Sequence, residues 1–98
     1  MKDLTNEERF ILENVYIPEE KQIDLLEGAL NKCIFDTENK TYSHFIYSVA
    51  YSEIQILGCP HWFSLSVLDF VEYYNLRYRF NDMLKRARVY YRECGYDE

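Results

Sequence analysis

Residues 63–94 read FSLSVLDFVEYYNLRYRFNDMLKRARVYYREC, the longest run free of Pro and Gly, and the number of helices they form decides the fold. At about 100° per residue, Phe63, Leu65, Val67, Leu68, Phe70, Val71 and Tyr74 fall on one broad face, with Ser66, Asp69 and Glu72 opposite. Past Asn81 the apolar set becomes Met83, Leu84, Ala87, Tyr90, Tyr91 and Cys94, on a face rotated by about 160° from the first. One straight helix cannot bury both faces against one core. It would also be about 50 Å long, against a radius of gyration of about 13 Å for a compact chain of this size. The pattern predicts a break between Asn75 and Asn81, with Asn81 and Asp82 as N-cap and first turn of a second helix.

On that second helix Lys85, Arg88 and Arg92 recur at i, i+3 and i+7, with Arg86 to one side and Arg77 and Arg79 just upstream. The basic stripe Arg77, Arg79, Lys85, Arg88 and Arg92 is the most distinctive surface feature of the chain. A solvated helix face accounts for it, since cations suit a helix C-terminus; a partner-binding face is the functional alternative.

Working outward, Thr5 and Glu8 make a capping box for a first helix that carries Phe10, Ile11, Val15 and Tyr16. Pro18, suited to a first helical position, starts a second helix with the apolar stripe Ile23, Leu26, Leu30, Cys33 and Ile34. Gly28 within it suggests a close helix crossing. Its polar side carries the acidic row Glu20, Asp24 and Glu27. Thr41 to Leu57 is ambiguous. Phe45, Tyr47, Val49 and Tyr51 alternate as in a strand, whereas Ser48, Ser52 and Gln55 share a helical face and Gly58 suits a helix C-cap. Helix is favoured. Pro60 suits the start of the next helix, and the tail from Gly95 is expected to cap the last helix and fray. The expected fold is mostly α, a single domain over residues 1–98 forming a bundle of four to five helices; the alternative is α+β with a hairpin between Cys33 and Leu57.

Ninety-eight residues suffice for one core without staples. The formal net charge of −6 is unevenly spread, as −5 over residues 1–41, −3 over 42–76 and +2 over 77–98. An acidic chain is repelled by nucleic acid and anionic membrane unless a local patch dominates, and the stripe on the last helix is the one candidate. With neither a signal-like leader nor a membrane-length apolar run, the protein is expected in the cytoplasm, without membrane contact. Three widely spaced cysteines suit free thiols in a reducing compartment.

Cys33, Cys59, Cys94, His44 and His61 lack the spacing of a structural zinc site, so neither metal nor cofactor is expected. No nucleophile elbow, phosphate loop or metalloprotease helix is present. Asp69 and Glu72, paired at i, i+3, lie on the polar face, a solvated position poorly suited to acid–base chemistry. The chain is therefore read as a non-enzyme. Ten Tyr among 98 residues, an acidic row and a basic stripe fit a small protein–protein interaction module, either self-associating or binding another protein. The expected role is a regulator or inhibitor that occludes its partner, as anti-defence inhibitors and immunity proteins do. The alternative is a nucleic-acid-binding regulator using the helix Asn81 to Cys94, whose cations and Tyr90 and Tyr91 suit phosphates and bases.

Overall fold

The computed structural model describes residues 4–57 and 62–96. Five helices and one antiparallel hairpin follow in the order α1 (Asn6–Asn14), α2 (Glu19–Asp36), α3 (Tyr42–Ala50), β1 (Glu53–Leu57), β2 (Trp62–Ser66), α4 (Val67–Tyr73) and α5 (Arg77–Glu93). The fold is mostly α, as the periodicity predicts.

Each helix start has a local cause. The Thr5 hydroxyl accepts from the Glu8 amide while the Glu8 carboxylate accepts from the Thr5 amide, closing the capping box of α1. Pro18 is the N-cap of α2, one residue outside the helix, and its carbonyl accepts from the Gln22 amide. Thr41 and Ser66 cap α3 and α4 by accepting from the amides of His44 and Asp69. Gly28, expected at a helix crossing, has nothing within 4 Å of where a Cβ would stand. Gly28→Ala should therefore stabilise the protein by about 0.5–1 kcal/mol, since Ala loses less backbone freedom in a helix interior; a raised urea midpoint at unchanged slope is the expected observation.

The segment 41–57 divides between its two readings. It is helical to Ala50, and then Glu53 to Leu57 pairs with Trp62 to Ser66, placing Ile54 opposite Leu65 and Gln55 opposite Ser64. β1 thus falls at the end of the span Cys33 to Leu57 envisaged for a hairpin but pairs with a strand downstream of it, and the helix expected from Phe63 begins only at Val67. Alternation explains both corrections. Ile54, Ile56, Leu65 and Val67 are buried while Glu53 and Gln55 are exposed, a period of two that a pleated surface satisfies. Gly58, Cys59, Pro60 and His61, and with them the expected cap and turn, lie outside the described residues.

The break expected between Asn75 and Asn81 is present, at Asn75 and Leu76, but Asn81 is not the cap of the second helix. Asn75 adopts φ +57°, and the amides of Leu76 and Asn75 donate to the carbonyls of Val71 (2.8 Å) and Glu72 (3.3 Å). This is a Schellman ending, completed by apolar contact between its C″ and C3 positions, here the buried Leu76 and Val71. Leu76 is also the N-cap of α5, so Asn81 lies inside that helix, and Arg77 and Arg79 belong to it instead of preceding it. α5 ends in the same way. Gly95, at φ +82°, donates to Arg92, and Tyr96 donates to Tyr91 at 2.8 Å. Tyr96 does not fray: its carbonyl accepts from the Tyr42 amide (2.9 Å) and so caps α3. Asp97 and Glu98 lie outside the described residues.

Among the described residues the buried side chains form one cluster, drawn from every helix and both strands. Its centre is aromatic: the ring of Phe45 lies 5.5 Å from that of Tyr91 and 5.8 Å from that of Tyr42. Two buried polar chains tie α2 to its neighbours. The Thr37 hydroxyl donates to the Cys33 carbonyl (2.6 Å), leaving the Tyr91 hydroxyl to donate to Thr37. The Ser52 hydroxyl donates to the Ser48 carbonyl (2.8 Å), leaving the Cys33 thiol to donate to Ser52.

Candidate interaction surface

α2 and α5 pack side by side, with Thr37 reaching Tyr91. Beside that contact the two helices diverge to leave a groove of about 420 Å³, lined by Glu27, Leu30, Asn31, Ile34, Met83, Arg86, Ala87 and Tyr90. Buried Leu30 and Ala87 form its floor and half-buried Ile34 and Met83 its walls. Exposed Glu27 and Asn31 stand on the α2 rim, Arg86 and Tyr90 on the α5 rim. The groove exists because both helices bury a stripe wider than their mutual contact covers.

The acidic row lies on the groove side of α2. Glu20, Asp24 and Glu27 are all exposed, and at about 100° per residue they fall within an arc of about 60° that also holds Asn31. On the opposite rim the Arg86 Nε donates to Asp82 Oδ2 at 3.0 Å, and the same guanidinium forms an ion pair with that carboxylate. The hydrogen bond and charge of Asp82, with a smaller contribution from Glu27 across the groove, raise the guanidinium above its already high pKa. Both partners are largely in water, so the pair adds little stability. At the far end of the rim the Tyr90 phenol is raised above its ordinary value, chiefly by Cys94 and in lesser part by burial and by Glu38.

The five residues of the basic stripe are all exposed but do not share one face. On the continuous helix α5, Arg77, Lys85, Arg88 and Arg92 fall within an arc of about 80°, while Arg79 lies about 200° from Arg77, beside Arg86. The four-residue stripe faces away from α2, so the acidic row and the basic stripe flank α5 on opposite sides. Arg88 stands over the Tyr42 ring, its guanidinium carbon 5.5 Å from the centroid, a cation–π contact that fixes its direction. Tyr78, 86% exposed, lies beside Lys85 on the wheel.

Asp69 is half-buried and Glu72 exposed on the short helix α4. Cys33 is buried in the core and Cys94 is exposed, both as free thiols, whereas Cys59 and His61 lie outside the described residues. No helix among the described residues is long and apolar enough to cross a membrane.

The groove was not foreseen from the sequence. Its local signal is the pair Ile34 and Met83, which widen the apolar stripes of α2 and α5 on the flanks that come to face one another. Comparison of the chain with family models, curated proteins and solved structures finds no match. The class is thus defined by the fold and surface alone: a small, mostly helical domain with one antiparallel hairpin and, among the described residues, an apolar groove between its two longest helices.

Proposed function

We propose that this protein is a non-catalytic interaction module that binds a basic partner protein through α2 and acts by occluding it. The observation that carries this reading is the placement of Glu20, Asp24 and Glu27, exposed on one face of α2, a row that reaches the apolar groove at Glu27. Apolar area supplies affinity, and a charged rim supplies on-rate and choice of partner. A net charge of −6 favours a cationic partner. An occluding role of the anti-defence or immunity type requires only such a surface. Free thiols suit a reducing compartment such as the cytoplasm.

The test is retention of cellular proteins by the immobilised chain, at two salt concentrations and after nuclease. Discrete basic proteins should be retained, and the triple variant Glu20→Lys, Asp24→Lys, Glu27→Lys should lose them by at least about tenfold, a loss of about 1.4 kcal/mol. Unchanged retention by that variant would refute the acidic-row reading.

A second reading, nucleic-acid binding through α5, draws on the exposed arc of Arg77, Lys85, Arg88 and Arg92 beside Tyr78. It requires nuclease-sensitive retention of polynucleotide that falls steeply with salt and is lost in the double variant Arg88→Glu, Arg92→Glu.

A further inference from the structure

We infer that the α2–α5 groove seats an amphipathic helix of the partner, one whose apolar stripe is flanked by Lys or Arg. This rests on the proposed binding of a basic protein and adds the form of the recognised element. A volume of about 420 Å³ is that of a site for a few large side chains, not for a flat contact. The groove's floor and walls run from Leu30 to Ile34 on α2 and from Met83 to Ala87 on α5, about one turn on each side. Apolar side chains one turn apart on a docked helix, at i and i+3 or i+4, match that length, as in other helix-in-groove complexes.

Charge selects the flank of that helix. Of the acidic row Glu27 lines the groove, and Asp24 and Glu20 continue along α2 beyond its end, the three spanning about 10 Å or two turns, so cations at i, i+4 and i+7 of a helix lying along α2 would meet them. Arg86 on the other rim does not oppose this, because Asp82 already pairs with it. A second copy of this chain is the poorer occupant, since two molecules of net charge −6 repel one another.

The experiment uses the intact protein and two fluorescein-labelled peptides of identical Leu and Lys composition, each about five helical turns long. One carries Leu as a single stripe flanked by Lys; the other has the same residues scrambled. The striped peptide should bind at least about tenfold more tightly, a difference of about 1.4 kcal/mol. Asn31→Arg, which places a cation on an exposed rim position, and Tyr90→Ala, at a residue 47% exposed, should each weaken striped binding by about tenfold without altering the melting temperature. Amide shifts should concentrate at Leu30, Ile34 and Ala87. Equal binding of the two peptides, or shifts confined to other surfaces, would overturn the groove inference while leaving the acidic row as a general cation-binding face. Failure of both peptides to bind at low salt would remove the acidic-row reading, and this inference with it. A concentration-dependent dimer abolished by Asn31→Arg would instead make the groove a self-interface and overturn the proposed occupant.

Discussion

Replacing Phe45 with Ala is expected to cost about 3–5 kcal/mol, the range for emptying a buried aromatic site. Phe45 is 0% exposed, and its ring is held by Tyr42 and Tyr91 from elements far apart in sequence. The cavity would therefore lie where α3 and α5 meet, between rings that cannot close it without moving a helix. Domains of this kind have only about 5–15 kcal/mol of total stability, so the variant should lose a third of it or more and can unfold at growth temperature. Chemical denaturation measures the loss directly. Tyr47→Ala serves as the control: Tyr47 is 65% exposed on the same helix, and its ring lies 4.7 Å from that of the neighbouring Tyr51. It should shift stability by no more than about 0.5 kcal/mol. Equal effects from the two substitutions would mean that the aromatic cluster is not the centre of the core.

Alkali should unfold this protein before it disturbs much else. Burial raises the Tyr91 phenol above the ordinary value. Burial, together with Tyr73, raises Tyr74 as well. In the unfolded chain both titrate near about pH 10. Below that value both states are protonated and stability is complete. Above it the unfolded chain gives up protons that the folded chain retains, so the equilibrium shifts toward unfolding until the folded pKa is passed. Melting temperature should be level through neutral pH and fall above about pH 10. Tyr91→Phe separates the contributions. It removes one buried hydrogen bond, costing about 1 kcal/mol at neutral pH, and it should flatten the alkaline decline. A wild-type protein whose melting temperature stays level to about pH 11 would refute the account.

The helices are legible in the sequence where a local rule governs them. Thr5 and Glu8 satisfy each other's backbone amides within four residues, and the stripe of Leu26, Leu30 and Cys33 persists long enough to exclude other periods. The hairpin is not legible in the same way. Each strand has five residues, and an apolar pair at i and i+2 occurs within a helical stripe as readily as in a strand. Only the pairing of Ile54 with Leu65 across the turn decides between them, and that contact is not local. The cap of the second helix is misplaced at Asn81 for a related reason. Asn81 has the chemistry of a cap, but Asn75 has the left-handed backbone that ends α4, an equally ordinary role for Asn. For the surface, the sequence distinguishes acidic from basic helix faces. That Glu27 stands across a groove from Arg86, while the stripe through Arg88 turns away from α2, depends on how two helices far apart in the chain are set against each other.

The carbonyl of Tyr96, received by the amide of Tyr42, has a bearing on biosynthesis. Phe45 is covered by Tyr91, and α3 is capped by Tyr96, so a nascent chain displays an uncovered aromatic helix until some fifty further residues have emerged from the ribosome. At about 5–20 residues per second, that interval lasts seconds, ample time for a chaperone that scans for exposed aromatics to engage α3.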